Sequence, residues 1–228
     1  MLQKNTYMPP GYGGEMEFIM IDSYKGRPFS DERMTGPQQI PGEVYCAYYD
    51  LGGEGVAYHD SDAVNHGSGE LNPVNGSYLH SFRIDEGVDT SYVKYFDETD
   101  NNPYNKVQPE EGLLYVGWTV PGEWFNVTVQ VTESGLYDID LMYTSNEGGT
   151  ISLSMDGEDV AGRIVIESTY HPDDPLDWRQ WHHWNMSTIA KGILLVEGLR
   201  VLTIKTLENG NMNYAFLSFK KVGGTSAA

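Results

Sequence analysis

The sequence contains a single cysteine, Cys46, among 228 residues. One thiol cannot form an intramolecular disulfide, and it cannot supply the clustered thiolates of a cysteine-rich zinc site. No apolar run is long enough to cross a bilayer, and the first residues lack the apolar centre of a signal peptide. These absences exclude a disulfide-stabilised scaffold and predict no membrane insertion.

Basic residues are scarce as well. Lys and Arg number 14 against 33 Asp and Glu, so the net charge is -19 at neutral pH. Nucleic-acid binding requires clustered cations that contact phosphates, and anionic membrane surfaces attract basic segments. The composition therefore argues against nucleic acid and membranes as partners, whereas neutral ligands remain compatible with it. Solubility alone would also explain the acidity.

No segment shows a convincing helical period, whereas period-two alternation recurs at strand length. Tyr137, Ile139, Leu141 and Tyr143, for example, share one face of a segment. Many short strands predict an all-β protein, a jelly-roll β-sandwich of two antiparallel sheets. The predicted strands are Glu43–Tyr48, Glu123–Val131, Gly135–Thr144, Thr150–Met155, Arg163–Ile166, Leu199–Leu207 and Met212–Lys220.

Composition divides the chain into three predicted parts. Residues 1–41 are rich in Pro, Gly and charge, and only Phe18–Ile21 offers a strand, which predicts an extension or linker with one strand paired onto the domain. Residues 42–222 would form the sandwich, and 223–228 a disordered tail. Within the sandwich, the long polar stretch Asp60–Asn105 is typical of a functional or mobile loop.

The segment Trp124–Val131 predicts a strand with two unlike faces. One face is apolar and would face the core, formed by Phe125, Val127, Val129 and Val131. The other would face solvent, formed by Trp124, Asn126, Thr128 and Gln130. A large aromatic ring on a polar face indicates a binding surface. The alternative is that a loop or the N-terminal segment covers Trp124.

Six short motifs resemble those of family 6 carbohydrate-binding modules or a close jelly-roll relative, in the same order over about residues 42–221. They are Tyr49–Asp60 with Glu86–Asp89, Val116–Trp124, Gly135–Tyr137, Met155–Gly157, Trp178–Trp181 and Asn211–Phe216. Each motif is weak alone, and the ordered set makes the resemblance specific. The resemblance implies a jelly-roll sandwich without catalytic activity that binds polysaccharide or oligosaccharide, often beside a glycoside hydrolase. It also implies a secreted, periplasmic or cell-surface location.

The resemblance further implies two binding sites. At the loop edge, Trp118 and Trp178 would clamp a sugar and Asn211 would hydrogen-bond it. At a sheet face, Trp124 would stack against a sugar, and we expect Tyr115 and Tyr58 as neighbours of the sites. An aromatic ring can bury the C–H face of a pyranose, while a few fixed polar groups set specificity.

One departure concerns a structural calcium ion. The family's first strand usually carries two acidic ligands, and this chain has Tyr45 and Ala47 there, with Asn213 in place of a later Asp. Calcium prefers several hard and charged oxygen ligands. We therefore expect this site to be weakened or lost, although other acidic residues could still bind calcium.

Two other function classes stay open. Exposed tryptophans could be hot spots of a protein–protein interface, and a small β-sandwich glycoside hydrolase would need two carboxylates across a cleft. We predict no catalytic residue, since His59, Asp60 and Asp62 match no catalytic motif. We predict no metal ligand either, since the adjacent His182 and His183 would point to opposite faces of a strand.

Overall fold

The computed structural model describes residues 24–223 in full and the backbone of two strands before them, β1 (Lys4–Tyr7) and β2 (Met16–Ile19). These two strands pair with each other in an antiparallel two-stranded sheet. The predicted strand Phe18–Ile21 overlaps β2, which pairs with β1 instead of joining a sandwich sheet. Residues 20, 21 and 224–228 lie outside the described residues.

Two further sheets form a sandwich. The first sheet contains β3 (Gln38–Ile40), β5 (Tyr58–His59), β8 (Trp124–Val131), β10 (Gly149–Met155), β11 (Glu158–Asp159), β12 (Ile164–Ile166) and β14 (Gly198–Glu208). The second sheet contains β4 (Gly42–Tyr45), β6 (Thr90–Tyr92), β7 (Leu114–Val116), β9 (Gly135–Ser145), β13 (Asn185–Leu195) and β15 (Met212–Gly223). The helical turns are short: α1 (Tyr78–Ser81) and the 3₁₀ turns Cys46–Tyr48, Phe96–Glu98 and Asp177–Trp181.

The long strands cross repeatedly from one sheet to the other. The first sheet has the order β11-β10-β14-β8-β3, with β12 on β10 and β5 on β8, and the second has the order β13-β9-β15-β7-β6, with β4 on β15. Consecutive strands β8, β9 and β10 alternate between sheets, as do β13, β14 and β15. This crossing confirms the predicted jelly-roll sandwich. The pairings between the strands named here are antiparallel apart from β3 on β8, which is parallel.

The core lies between the sheets and contains the faces that alternation predicted. Tyr137, Ile139 and Leu141 of β9 are at most 1% exposed. From β8, Val127, Val129 and Val131 are fully buried beside them. Burial of such side chains contributes roughly 1.5–3 kcal/mol each, so this interior is the main source of stability.

The structure corrects one predicted strand and adds sandwich strands that the sequence did not predict, namely the short β3, β5, β6, β7 and β11 and the long β13. The predicted strand Glu43–Tyr48 ends at Tyr45, and Cys46–Tyr48 forms a 3₁₀ turn. The sequence prediction missed β13, an edge strand whose residues are mostly half-buried or exposed and whose pairing with β9 shifts register twice. Irregular register at an edge destroys the period-two signal.

Residues before the predicted boundary at 41 take part in the fold. Ile40 of β3 is fully buried in the main core, and Arg27 exchanges two backbone hydrogen bonds with Leu51. The division at residue 41 itself stays a prediction. None of the helices among the described residues is long and apolar enough to span a membrane.

Candidate functional site

An open pocket of about 230 Å³ lies where loops that connect the two sheets meet. Its lining residues come from four separate segments: Leu71, Trp118, Trp178, Trp181, His182, Asn211 and Asn213. We call it the three-tryptophan pocket. It brings together Trp118, Trp178 and Asn211, the three residues predicted for the loop site.

Trp118 lies just after β7 with a backbone φ of 48°. This left-handed conformation is rare for a bulky residue and costs on the order of 1–3 kcal/mol, so the surrounding structure must enforce it. The N–H of Gly117 donates to the carbonyl of Asp89 at 2.9 Å. A Cβ at Gly67 would lie 3.0 Å from the Trp118 ring and 2.0 Å from the carbonyl oxygen of Thr90. The loop that contains Gly67 therefore packs against Trp118 so closely that only glycine fits at this position.

Asn211 lies on the turn between β14 and β15, with a φ of 56°. Asn tolerates this conformation better than most residues. Its N–H donates to the carbonyl of Thr119 at 2.6 Å, and Gly210 approaches so closely that a Cβ there would be 1.9 Å from the same oxygen. The Asn211 side chain is exposed, so its amide is available at the pocket.

The 3₁₀ turn Asp177–Trp181 carries the other two rings. Trp178 is 48% exposed and Trp181 is 36% exposed, whereas Arg179 and Gln180 between them are buried. This reverses the usual preference of these residue types. Gln180 is held by two hydrogen bonds to the backbone of His171, at 3.0 and 2.9 Å. Buried polar contacts thus turn the tryptophans outward.

Arg179 forms a bidentate ion pair with Asp174, at 2.8 and 2.9 Å. The Asp174 side chain is fully buried, and it also lies 2.8 Å from Nε2 of His183. Hydrogen bonds from Arg179 hold the pKa of Asp174 well below its usual range. This planar, two-point contact anchors the 3₁₀ turn Asp177–Trp181, which we call the aromatic turn.

The polar floor of the pocket includes Asn213. Its Nδ2 donates to Oγ1 of Thr144 at 2.8 Å and to the carbonyl of Trp181 at 2.9 Å. A carbonyl only accepts, so this orientation of the amide is fixed, and Oδ1 is left as an acceptor beside Gly117.

These contacts bear on the calcium site. Tyr45 donates its hydroxyl to Glu43 at 2.6 Å, Ala47 is a buried methyl group, and Asn213 already supports the pocket. Such a donor set does not fit calcium, which needs several oxygen ligands. Among the residues that the structure describes, no group of three or more His, Cys, Asp and Glu could hold a metal ion.

Trp124 lies in a different environment, at the start of β8 and outside the three-tryptophan pocket. It is half-buried, and its ring centroid lies 6.5 Å from that of His59. The cavity beside it measures about 10 Å³, which is the room of one water molecule. Burial raises the pKa of two carboxyl groups that line it, Asp60 to about 7 and Asp89 to about 6.

The prediction that this face of β8 is solvated is wrong for two residues. Asn126 is 6% exposed and Thr128 is 1% exposed, because Asp50 and the chain at Val56 and Ala57 lie against them and hydrogen-bond to them. Asp50 accepts hydrogen bonds from N–H and Oγ1 of Thr128, at 2.7 and 2.6 Å, and from the hydroxyl of Tyr24 at 2.6 Å. Burial raises the pKa of Asp50 to about 6.

The structure buries the two tyrosines that were expected as neighbours of the sites. Tyr115 is 1% exposed, in the core behind the pocket, with its ring centroid 6.4 Å from that of Trp118. Tyr58 is 6% exposed, and its hydroxyl accepts a hydrogen bond from Gly87. Neither lines the three-tryptophan pocket. The sequence reasoning missed Trp181, His182 and Leu71 as lining residues, because a 3₁₀ turn and an irregular loop give no periodic signal.

Comparisons with known proteins gave structural likeness alone. No family model and no curated protein matches this chain. A carbohydrate-binding module of Cellvibrio mixtus lichenase 5A, in complex with cellotriose, is 20% identical over 60% of this chain and 88% of its own, with a TM-score of 0.42. A CBM6 of Clostridium stercorarium with cellobiose is 11% identical over 83% and 100%, with a TM-score of 0.48. A β-1,3-glucan-binding CBM6 of Bacillus halodurans is 12% identical over 80% and 98%, with a TM-score of 0.47.

Proposed function

We propose that this protein is a non-catalytic carbohydrate-binding module that binds a polysaccharide or oligosaccharide in the three-tryptophan pocket. One observation carries the proposal. Trp118, Asn211 and the pair Trp178 and Trp181 converge on one open pocket, although they come from three separate segments of the chain.

The chemistry of the pocket suits a sugar. A pyranose has an apolar C–H face that a tryptophan ring can bury without removing its hydroxyl groups from hydrogen bonding. Tryptophan also loses little conformational entropy on binding, because only two side-chain torsions are fixed. The amide of Asn211 and Oδ1 of Asn213 supply polar groups at the edge and floor.

The lining also supports binding without catalysis. A glycoside hydrolase of the usual type needs two carboxyl groups on either side of the scissile bond. The seven residues that line the pocket include no Asp or Glu. The net charge of -19 further favours neutral over acidic polysaccharides, because like charges repel.

We extend the proposal to a tethering role outside the cytoplasm, in a secreted, periplasmic or cell-surface setting beside a glycoside hydrolase. The motif resemblance supports this part. Once the ligand is known, the tethering role can be tested by asking whether the protein holds a glycoside hydrolase on that polysaccharide.

Affinity gel electrophoresis on neutral plant, algal and microbial polysaccharides tests the proposal. We expect at least one polysaccharide to retard the wild type and Trp124→Ala, and we expect Trp178→Ala to migrate as in a gel without polysaccharide. The absence of retardation on every glycan would contradict the proposal. Self-association lost in Trp178→Ala would then favour a protein interface, and release of reducing sugar would favour a hydrolase.

A further inference from the structure

His182 lines the three-tryptophan pocket, directly after the aromatic turn. Its Nδ1 lies 2.9 Å from Oδ1 of Asp100, whose side chain is fully buried. Its N–H donates to the carbonyl of Arg179 at 2.8 Å, and its own carbonyl accepts from Asn102 at 2.9 Å. The Trp178 ring packs edge-on against it, with the centroids 6.0 Å apart. The backbone of His182 is therefore held by two hydrogen bonds, and its imidazole by Asp100 and the Trp178 ring.

The partners of Asp100 determine which nitrogen of this imidazole carries the proton. Oδ1 accepts from Nε1 of Trp184 at 2.8 Å, and Oδ2 accepts from the N–H of Lys94 at 2.7 Å. An ionised carboxylate only accepts hydrogen bonds, so Nδ1 of His182 must be the donor. In a neutral imidazole the remaining nitrogen, Nε2, is then an acceptor.

This nitrogen is available to a ligand. The structure records no hydrogen bond to Nε2 from residues 24–223, and Nε2 is not among the buried side-chain atoms without a partner. The nearby Oδ1 of Asn213 is an acceptor too, since its Nδ2 is used inside the protein. The residues that line the pocket thus include two hydrogen-bond acceptors and three tryptophan rings.

We infer that His182 is a specificity residue of this pocket, whose Nε2 accepts a hydrogen bond from a sugar hydroxyl, and that Asp100 is the positioning residue that fixes the tautomer. The inference rests on the proposed function and narrows its ligand class. Two acceptors favour a neutral sugar that points hydroxyl donors at the floor. They disfavour a uronate, because its carboxylate has no proton to donate.

The tautomer can be measured in the free protein. Long-range ¹H–¹⁵N spectra of protein labelled with ¹⁵N-histidine at neutral pH report which ring nitrogen is protonated, and His182→Gln assigns the signal. We expect protonation on Nδ1. Protonation on Nε2 would overturn the inference whether or not any sugar binds, so its failure is distinct from that of the proposed function.

The hydroxyl contact requires a bound ligand. The probe is the shortest oligosaccharide of the retarding polysaccharide, compared with its monodeoxy analogues by isothermal titration calorimetry. We expect one analogue to bind wild type about tenfold more weakly than the parent, as the loss of one hydrogen bond to a fixed acceptor allows. We expect His182→Ala to bind both equally. Retained discrimination in His182→Ala would contradict the contact.

His80→Ala is the matched control. His80 contacts Ser77 and Tyr92 outside the pocket, so the discrimination of the wild type should persist in this variant. Loss of discrimination in His80→Ala would also contradict the inference, because the effect would then not come from the pocket. If Trp178→Ala binds the parent as tightly as the wild type, the proposed function itself fails.

Discussion

Two tryptophans stand out in the sequence, and the structure places them in opposite environments. Trp178 is 48% exposed beside a pocket of about 230 Å³. Trp124 is half-buried beside a cavity of about 10 Å³. The 3₁₀ turn Asp177–Trp181 exposes the Trp178 ring. The sheet face that carries Trp124 is instead covered further along β8 by Asp50, which is far from β8 in sequence. The exposure of an aromatic residue therefore depends on what covers its face, which local alternation does not encode.

Each of the two regions contains a buried carboxylate, and the pKa values of these two carboxylates are shifted in opposite directions. Under the aromatic turn, Asp174 is paired with Arg179, which holds the pKa of this carboxyl below its usual range. Over the sheet face, Asp50 receives hydrogen bonds from neutral hydroxyl and amide donors, and burial raises its pKa to about 6. The pKa values differ in direction because Asp174 is in direct contact with a cation and Asp50 is not.

The largest expected effect comes from breaking the support of the aromatic turn. Asp174→Asn removes the buried, bidentate counter-charge of Arg179 and leaves it only the exposed carboxylate of Glu98 at 3.8 Å, and the loss of one partner of a buried ion pair costs about 3–5 kcal/mol. We expect the free energy of unfolding at neutral pH to fall by that order in chemical denaturation. Because the pKa of Asp174 is depressed, wild type and variant should converge as the pH falls below the usual carboxyl range.

The neighbouring Asp173 provides the control. Its side chain is 84% exposed, so Asp173→Asn should leave the free energy of unfolding nearly unchanged. Equal losses in both variants would mean that the buried pair does not hold the turn.

A smaller effect should appear at the sheet face. The pKa of Asp50 is about 6 in the folded state, above its usual 3.8, so the folded protein binds the proton more tightly. Its contribution to stability therefore falls as the pH rises from about 4 to about 7, by up to about 3 kcal/mol. Asp50→Asn cannot ionise, and its unfolding free energy relative to wild type should rise over this range. A constant difference across the range would contradict the raised pKa.

Sequence reasoning predicted the sandwich because the core strands carry a clean alternation, as in Tyr137, Ile139 and Leu141. It placed Trp118, Trp178 and Asn211 in one site because the motifs that hold them kept a known order. It failed where tertiary contacts decide. The cover over Thr128 comes from Asp50, 78 residues away in sequence. Trp181 and His182 enter the pocket through a 3₁₀ turn whose shape depends on the buried pair beneath it.

The next smaller effect is on ligand binding. Trp178→Ala removes an exposed ring from the three-tryptophan pocket, and truncation of a hot-spot aromatic costs about 2 kcal/mol or more. We expect the Kd for the retarding glycan to rise about 30-fold or more in calorimetry. Trp178→Phe keeps a smaller ring and should lie between the two. A Trp178→Ala protein with unchanged Kd would move the site elsewhere.

The smallest effect on glycan affinity should come from truncating the other tryptophan, in Trp124→Ala. Trp124 borders a cavity that holds no more than a water molecule, and it contributes nothing to the lining of the three-tryptophan pocket. Trp124→Ala should therefore leave the Kd for the glycan within about twofold of wild type, while it lowers the free energy of unfolding by removing packing against His59. Calorimetry and denaturation of one preparation measure both quantities. A Trp124→Ala variant that loses affinity but keeps its stability would show that the sheet face also binds sugar, which would require the chain around Asp50 to move away from β8.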